Sequence, residues 1–125
     1  MMSRVLRNKA SDDERLDRIF RALGDRTRRQ MLFRLTEGPA TVGELAGPFD
    51  ISLPAVGKHL RVLERAGLVN REIEGRIHRC SLSALPLHDA DQWLDQYRRF
   101  WQETLDALAH HLQKDSKTDS PKHEK

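Results

Sequence analysis

Residues 52–69 constrain this chain more than any other stretch: Ser52-Leu53-Pro54-Ala55-Val56-Gly57-Lys58-His59-Leu60-Arg61-Val62-Leu63-Glu64-Arg65-Ala66-Gly67-Leu68-Val69. A helix signal opens at Ser52, a favoured capping residue, and closes at Gly67. Val56, Leu60 and Leu63 repeat at i, i+4 and i+7, the spacing of one buried helical face. The opposite face carries Leu53, Pro54, Gly57, Lys58 and Arg61. That face is short, partly cationic and nearly free of acids. A helix with such a face fits a DNA major groove and meets phosphates on either side.

The chain has 125 residues, the length of one domain. No apolar run approaches membrane-spanning length. Met1-Met2-Ser3-Arg4-Val5-Leu6-Arg7 lacks the apolar stretch of a secretory signal. The expected location is the cytoplasm, nucleoid-associated when DNA is bound. Cys80 is the one cysteine, which excludes an internal disulfide and any metal site built from several cysteines of one chain. Charge is uneven. Residues 52–79 hold six bases against three acids, whereas residues 80–113 hold two against five. A polyanion is therefore favoured on one face and disfavoured on another.

Residues 1–10, with Arg4, Arg7 and Lys9, read as a flexible basic arm. Ser11-Asp12-Asp13-Glu14 reads as a capping box for a first helix with Leu16, Ile19, Phe20 and Leu23 on one stripe, ending at Gly24. Asp25 caps a second helix, Arg26 to about Thr36, with Met31, Leu32 and Leu35 inward. Gly38-Pro39 stops it. Thr41-Val42-Gly43-Glu44 is another capping box, opening a short supporting helix within Thr41–Phe49 with Val42, Leu45 and Ala46 inward. Phe49-Asp50-Ile51 turns into the Ser52 helix.

After Gly67 the period moves toward two. Residues 68–73 and 76–82 read as strands joined by Glu74-Gly75, a hairpin. One long helix is expected from Pro86 to about Gln113. Residues 114–125 contain no apolar side chain and read as a disordered polar tail. The domain proper is thus expected at 11–113. The class is mainly α with a small β-hairpin (α+β), in the order of a winged helix-turn-helix whose reader helix is Ser52–Ala66.

Several stretches now resemble one family. Phe20-Arg21-Ala22-Leu23-Gly24-Asp25-Arg26-Thr27-Arg28-Arg29-Gln30-Met31-Leu32 is similar to the opening motif of the bacterial arsenical-resistance-repressor (ArsR/SmtB) family. So are Thr41–Ala46, the Ser52–Leu63 helix with His59-Leu60, and Arg65-Ala66-Gly67-Leu68-Val69. The set covers residues 16–112. The ending Trp93-Leu94, Tyr97-Arg98-Arg99-Phe100-Trp101, Leu105 and Leu108 resembles a branch lacking the metal-binding cysteines, many of whose members lie beside proteins of the activator-of-chaperone-ATPase type. The resemblance implies a homodimeric DNA-binding repressor, bound to an operator, that is not an enzyme. Related chains often have Ser where Gly57 stands. Glycine there removes a donor, costs roughly 1 kcal/mol of helix stability, and lets backbone and DNA approach more closely.

Each candidate residue has a structural reading beside its functional one. Ser52 is a cap, to which a phosphate contact adds. Lys58 and Arg61 are either solvated or on phosphates and guanines, arginine being the better base reader. Leu53 and Pro54 meet thymine methyls or pack on the preceding turn. Gly57 belongs to the same groove-facing side. His59 borders the apolar stripe and is expected to be structural, with a backbone carbonyl as partner. Arg76, after the hairpin turn, is expected in the minor groove, with Arg71 and Arg79 as weaker candidates. Arg26, Arg28 and Arg29 at a helix N-terminus oppose the dipole, so phosphate or internal partners are expected.

Leu94, Tyr97, Trp101, Leu105, Leu108 and Leu112 repeat at spacings of three and four, and Trp93 and Phe100 widen the stripe. A single small domain does not easily cover so much aromatic surface. Pairing with Leu16, Ile19 and Phe20 and with a second subunit would cover it, giving a dimer through the first and last helices.

No metal or cofactor is expected, and the sequence shows no evident small-molecule or metal effector. The family's metal positions carry no cysteine on the short helix and no Asp-x-His pair on the last one. His110 and His111 point about 100° apart on a helix. His78 and Cys80 share one strand face and keep a metal- or thiol-responsive repressor open as an alternative. A protein-interaction module without a DNA role is the remaining one. There is no Gly-rich phosphate loop and no catalytic arrangement of serine or cysteine with histidine and acid.

Overall fold

The structure is a computed structural model that describes the backbone of residues 2–123 and the side chains of residues 11–114. The side chains of the basic segment 1–10, including Arg4, Arg7 and Lys9, and of residues 115–125 lie outside the described residues. The elements run α1 (Met2–Leu23), α2 (Arg26–Leu35), β1 (Ala40–Thr41), α3 (Val42–Ala46), α4 (Leu53–Arg65), β2 (Val69–Glu74), β3 (Ile77–Leu82), α5 (Leu85–Asp95) and α6 (Arg98–His123). The chain divides into two compact units, residues 1–90 and 91–125.

In the first unit four helices and a three-stranded antiparallel sheet, ordered β1-β3-β2, enclose one core. Ile19 and Ala22 from α1, Met31 from α2, Leu45 from α3, and Val56, Leu60 and Leu63 from α4 are all 0–1% exposed. Leu68, Val69 and Cys80 close the core from the sheet side. Ile19, Met31, Leu45, Val56, Leu60 and Leu63 are residues that helical periodicity turned inward, whereas Phe20, expected on the same stripe as Ile19, is exposed.

Short-range chemistry sets the boundaries. The Asp25 carboxylate accepts from the Arg28 backbone N–H at 3.1 Å and caps α2. Thr41 and Glu44 form the reciprocal box at the start of α3. Ser52 Oγ accepts from Ala55 N at 3.3 Å, and Pro54 sits in the first turn, where a missing N–H costs nothing. At the other end of α4, Gly67 adopts φ +75°, its N–H bonds Glu64 O, and the Leu68 N–H bonds Leu63 O, both at 2.9 Å. This pair of bonds is the Schellman stop, and it drives Leu68 into the core.

Four expectations are corrected. Helical backbone begins at Met2, so Ser11 lies within α1 and caps nothing. No glycine or proline precedes Gly24, and a helix already nucleated extends at little cost. The hairpin turn is Gly75-Arg76, with Glu74 paired to Ile77, one residue later than expected. Gly75 at φ +62° takes the first turn position, where a two-residue hairpin turn requires a positive φ. A third strand, β1, pairs Ala40 with Cys80 and Thr41 with Arg79. Finally, the long last helix is interrupted at Gln96-Tyr97, and α6 continues to His123, through part of the segment expected to be a disordered tail.

In the second unit Tyr97 N bonds Leu94 O at 2.9 Å, the i→i−3 closure of a helix end, and Arg98 then restarts the helix. Arg98 stitches the break by donating to Asp95 Oδ1 at 2.6 Å and Asp91 Oδ1 at 3.3 Å. Trp93 and Leu94 therefore belong to α5, Tyr97 to the break, and Phe100, Trp101, Leu105 and Leu108 to α6. Among the described residues, no helix is long and apolar enough to cross a membrane.

Candidate nucleic-acid interface

Helices α3 and α4, joined through residues 47–52, form a helix-turn-helix. The half-buried Phe49 packs on the core and pins the connecting turn. Helix α4 is divided lengthwise. Val56, Leu60 and Leu63 are fully buried, which fixes the helix about its own axis. The other face then points outward: Leu53 is 62% exposed, and Pro54, Lys58 and Arg61 are also exposed. The one acid in α4, Glu64, is withdrawn from that face by Arg71, whose Nε donates to its Oε1 at 2.9 Å. The outward face is therefore cationic without a competing carboxylate.

Gly57 lies midway along this face. A Cβ there would meet Arg61 Nη1 at 3.7 Å, an ordinary contact. The position has room for a side chain, so crowding within the protein does not require glycine.

The corner between α1 and α2 is held by arginines whose role the sequence left open between phosphates and internal partners. Arg28 Nη2 donates to Arg21 O and its Nε to Ala22 O, both at 2.8 Å. Arg29 Nη1 donates to Leu23 O at 2.8 Å. These carbonyls end α1, where backbone acceptors lack helical partners and the dipole is negative. Arg28 Nη1 also lies 3.2 Å from His59 Nδ1. His59 is thus structural, as expected, but its partner is a guanidinium rather than a backbone carbonyl. Asp25 Oδ2 stands 3.8 Å from His59 Nδ1. The Asp25 carboxyl is held below its ordinary range, first by the Arg28 backbone N–H and then by the His59 and Arg28 charges.

Beyond α4 the hairpin projects as a wing. Arg71 is half-buried between Glu64 and His78, lying 3.2 Å from His78 Nδ1. It braces the wing against α4, so its guanidinium is committed internally. Arg76 in the turn and Arg79 on β3 are exposed. A groove of about 550 Å³ runs between the wing and the start of α4, lined by Leu53, Val42, Ile77, Arg76 and Arg79 among others. Sequence spacing offered no sign of the Arg71–Glu64 brace, because the pair spans the Gly67 turn. The proximity rule for side chains three or four apart holds only within one helix.

Cys80 is fully buried, and burial pushes its thiol pKa up, which opposes the reactive thiolate. His78 faces Arg71 rather than a ligand set. Among the described residues no group of three or more His, Cys, Asp or Glu side chains is placed to hold a metal.

Residues 18–72 match a protein family described as a helix-turn-helix domain. The chain is similar to the HTH-type transcriptional regulator Rv2034 of Mycobacterium tuberculosis, 41% identical over 95 residues, covering 74% of this chain and 84% of the relative. It is also similar to the transcriptional repressor SdpR of Bacillus subtilis, 33% identical, covering 63% of this chain and 88% of the relative. Among solved structures, an ArsR family transcriptional regulator, RHA00566, is 42% identical with a TM-score of 0.69, over 72% of this chain and 93% of that one. A homodimeric winged helix-turn-helix DNA-binding domain from Mycobacterium bovis shares the fold at 22% identity, with a TM-score of 0.59 over 74% of this chain and 87% of that one.

Proposed function

The chain belongs to the ArsR family of winged helix-turn-helix DNA-binding transcriptional regulators, and on that premise we propose that it is a homodimeric, metal-independent repressor of a roughly palindromic operator. One observation carries the docking: α4 buries its apolar stripe completely and presents Leu53, Pro54, Lys58 and Arg61 on an outward face free of acids. In this reading the N-terminal half of α4 lies in the major groove. The Ser52 hydroxyl and nearby backbone approach a phosphate. Leu53 and Pro54 meet thymine methyls, Gly57 admits close backbone approach, and Arg61 offers its planar fork to a guanine. Lys58 holds a phosphate as a point charge. Arg76, at the wing tip, enters the minor groove, where the negative potential attracts it.

A two-fold dimer sets two reader helices one DNA turn apart, about 34–36 Å. Trp93, Leu94, Tyr97, Phe100, Trp101, Leu105 and Leu108, with Leu16 and Phe20 of α1, supply its apolar surface; Ile19, expected there from the sequence, is fully buried in the core and has no surface to give. The homodimeric M. bovis domain of the same fold supports this assembly. The repressor role is supported by the likeness to SdpR. The buried, unreactive Cys80 and the engaged His78 weigh against metal or thiol sensing. The reading includes no enzymatic activity and a cytoplasmic location.

The test is binding of the full chain to its own upstream DNA and to random DNA across a salt series, with and without chelator. Sequence-selective binding that ignores the chelator is expected. Lys58→Ala should weaken binding to all sequences and flatten the salt slope by about one unit. An unchanged slope would discard the docking; a chelator-dependent affinity would discard metal independence.

A further inference from the structure

Three arginines stand together away from the α4 N-terminal face. Arg18 and Arg21 of α1 and Arg65 of α4 surround a recess of about 340 Å³, with Val62 as its apolar wall. Among the described residues, none of their guanidinium groups has an ion-pair or hydrogen-bond partner. Partners stand at hand on the same helix. Glu14 and Asp17 precede Arg18 and Arg21 by four residues, the favourable acid-before-base order, yet neither pair closes. Arg21 and Arg65 each lie in the last turn of their helix, where a cation complements the dipole. That explains one arginine per helix end. It does not explain why two helices and a third arginine, one turn earlier, converge on a single hollow. Three like charges around one recess repel one another, and an anion between them removes the repulsion and gains charge-assisted hydrogen bonds.

The recess also continues a stripe. Lys58, Arg61 and Arg65 follow one another at i, i+3 and i+7 and so share a side of α4. From Lys58 to Arg65 the rise is about 10 Å at 1.5 Å per residue. A cationic track thus leads from the proposed reading face to the recess.

We propose that Arg18, Arg21 and Arg65 form a phosphate-binding site, distinct from the base-reading face. Its phosphate comes either from duplex backbone flanking the reader helix or from a free phosphate-bearing molecule. Planar guanidinium groups suit phosphate oxygens bidentately. The duplex source rests on the DNA docking proposed above; the free source does not.

The experiment uses the full chain and two probes. Inorganic phosphate is titrated while the arginine Nε–Hε NMR signals are followed, with exposed Arg26 as the control. Arg18, Arg21 and Arg65 signals should move together, and R65Q should abolish the movement at Arg18 and Arg21. In parallel, R65Q and Lys58→Ala are compared on a random-sequence duplex across a salt series. If R65Q also flattens the salt slope by about one unit, the phosphate is that of the duplex. If the signals move but the R65Q slope equals the parent's, the phosphate is free. Absence of both the concerted movement and the slope change overturns the site. A slope flattened by Lys58→Ala alone, with silent arginine signals, overturns the site and keeps the docking. Arginine signals that move while Lys58→Ala has no effect keep the site and overturn the docking. R65K should restore part of the slope, and a melting temperature equal to the parent's shows that R65Q remains folded.

Discussion

Residues 1–90 and residues 91–125 treat their large apolar side chains in opposite ways. In the first unit Ile19, Met31, Leu45, Leu60, Leu63 and Leu68 are all at most 1% exposed, and among the described residues every buried hydrophobic one lies at or before Ala90. In the second, Trp93, Leu94, Tyr97, Phe100, Leu105, Leu108 and Leu112 are 38–76% exposed. Composition does not separate the two, since leucine serves in both. What differs is the neighbourhood. The first unit folds helix against helix and helix against sheet, so the inward stripes of its helices find partners within it, although Phe33, Leu53, Ile73 and Ile77 remain exposed. The second is the end of one helix and the whole of another, in which the Trp93 and Tyr97 rings lie 5.2 Å apart. Large apolar side chains left exposed along one stripe are what an interaction surface needs. The first unit thus owes its stability to its own contacts, while the second leaves its apolar stripe exposed, as the proposed dimer requires.

The most disruptive test separates these two roles. Phe100→Glu with Leu108→Glu places two charges on the exposed α6 stripe. Sedimentation equilibrium should show the mass falling from twice 14.5 kDa to 14.5 kDa. Far-UV circular dichroism should remain largely unchanged, because the first unit's core is untouched. Loss of bivalency should weaken operator binding by about 10²–10⁴-fold. A double variant that still sediments as a dimer would place the interface elsewhere.

Next in size is a truncation in the other unit. Leu60→Ala empties a fully buried site and should cost about 2–5 kcal/mol, read from urea denaturation. Leu105→Ala, at a side chain 52% exposed, should change stability by at most about 0.5 kcal/mol when measured in the monomeric Phe100→Glu/Leu108→Glu background. Equal costs at the two sites would mean that the second unit shares the folding core, and the contrast would fail.

The same division explains what could be read from the sequence. Caps at Asp25, Thr41 and Ser52 and the stop at Gly67 depend on residues at most five apart, so spacing alone reveals them. Val56, Leu60 and Leu63 were legible because one helix carries its period unbroken. Strand β1 was not, since two residues have no period and Ala40–Thr41 exists as a strand only through β3, almost forty residues later. The interruption at Gln96-Tyr97 involves neither glycine nor proline. It is held by Arg98 reaching back to Asp91 and Asp95, side-chain bonds that no propensity encodes. At the candidate interface the outward residues of α4 follow from helical geometry. The internal commitments of Arg28 and Arg71, by contrast, depend on which carbonyls and carboxylates the folded chain brings near. Arginines that look alike in sequence thus divide into braces and free cations only after folding.

The smallest effect tests Gly57, where folding and binding pull apart. A Cβ at this position meets only Arg61 Nη1, at 3.7 Å, and φ is not among the positive values found at Gly38, Gly67 and Gly75. Glycine in a helix interior costs roughly 0.5–1 kcal/mol relative to alanine. Gly57→Ala should therefore raise stability by about that amount, seen as a higher urea midpoint at unchanged slope. Within the protein nothing opposes the methyl group, so glycine is not required by packing at this position. If close backbone approach to DNA is the reason for glycine, Gly57→Ala binds operator more weakly although it is more stable. A variant that gains stability and keeps full affinity would leave the close approach without support, and one that loses stability would show that the space beside Arg61 is already in use.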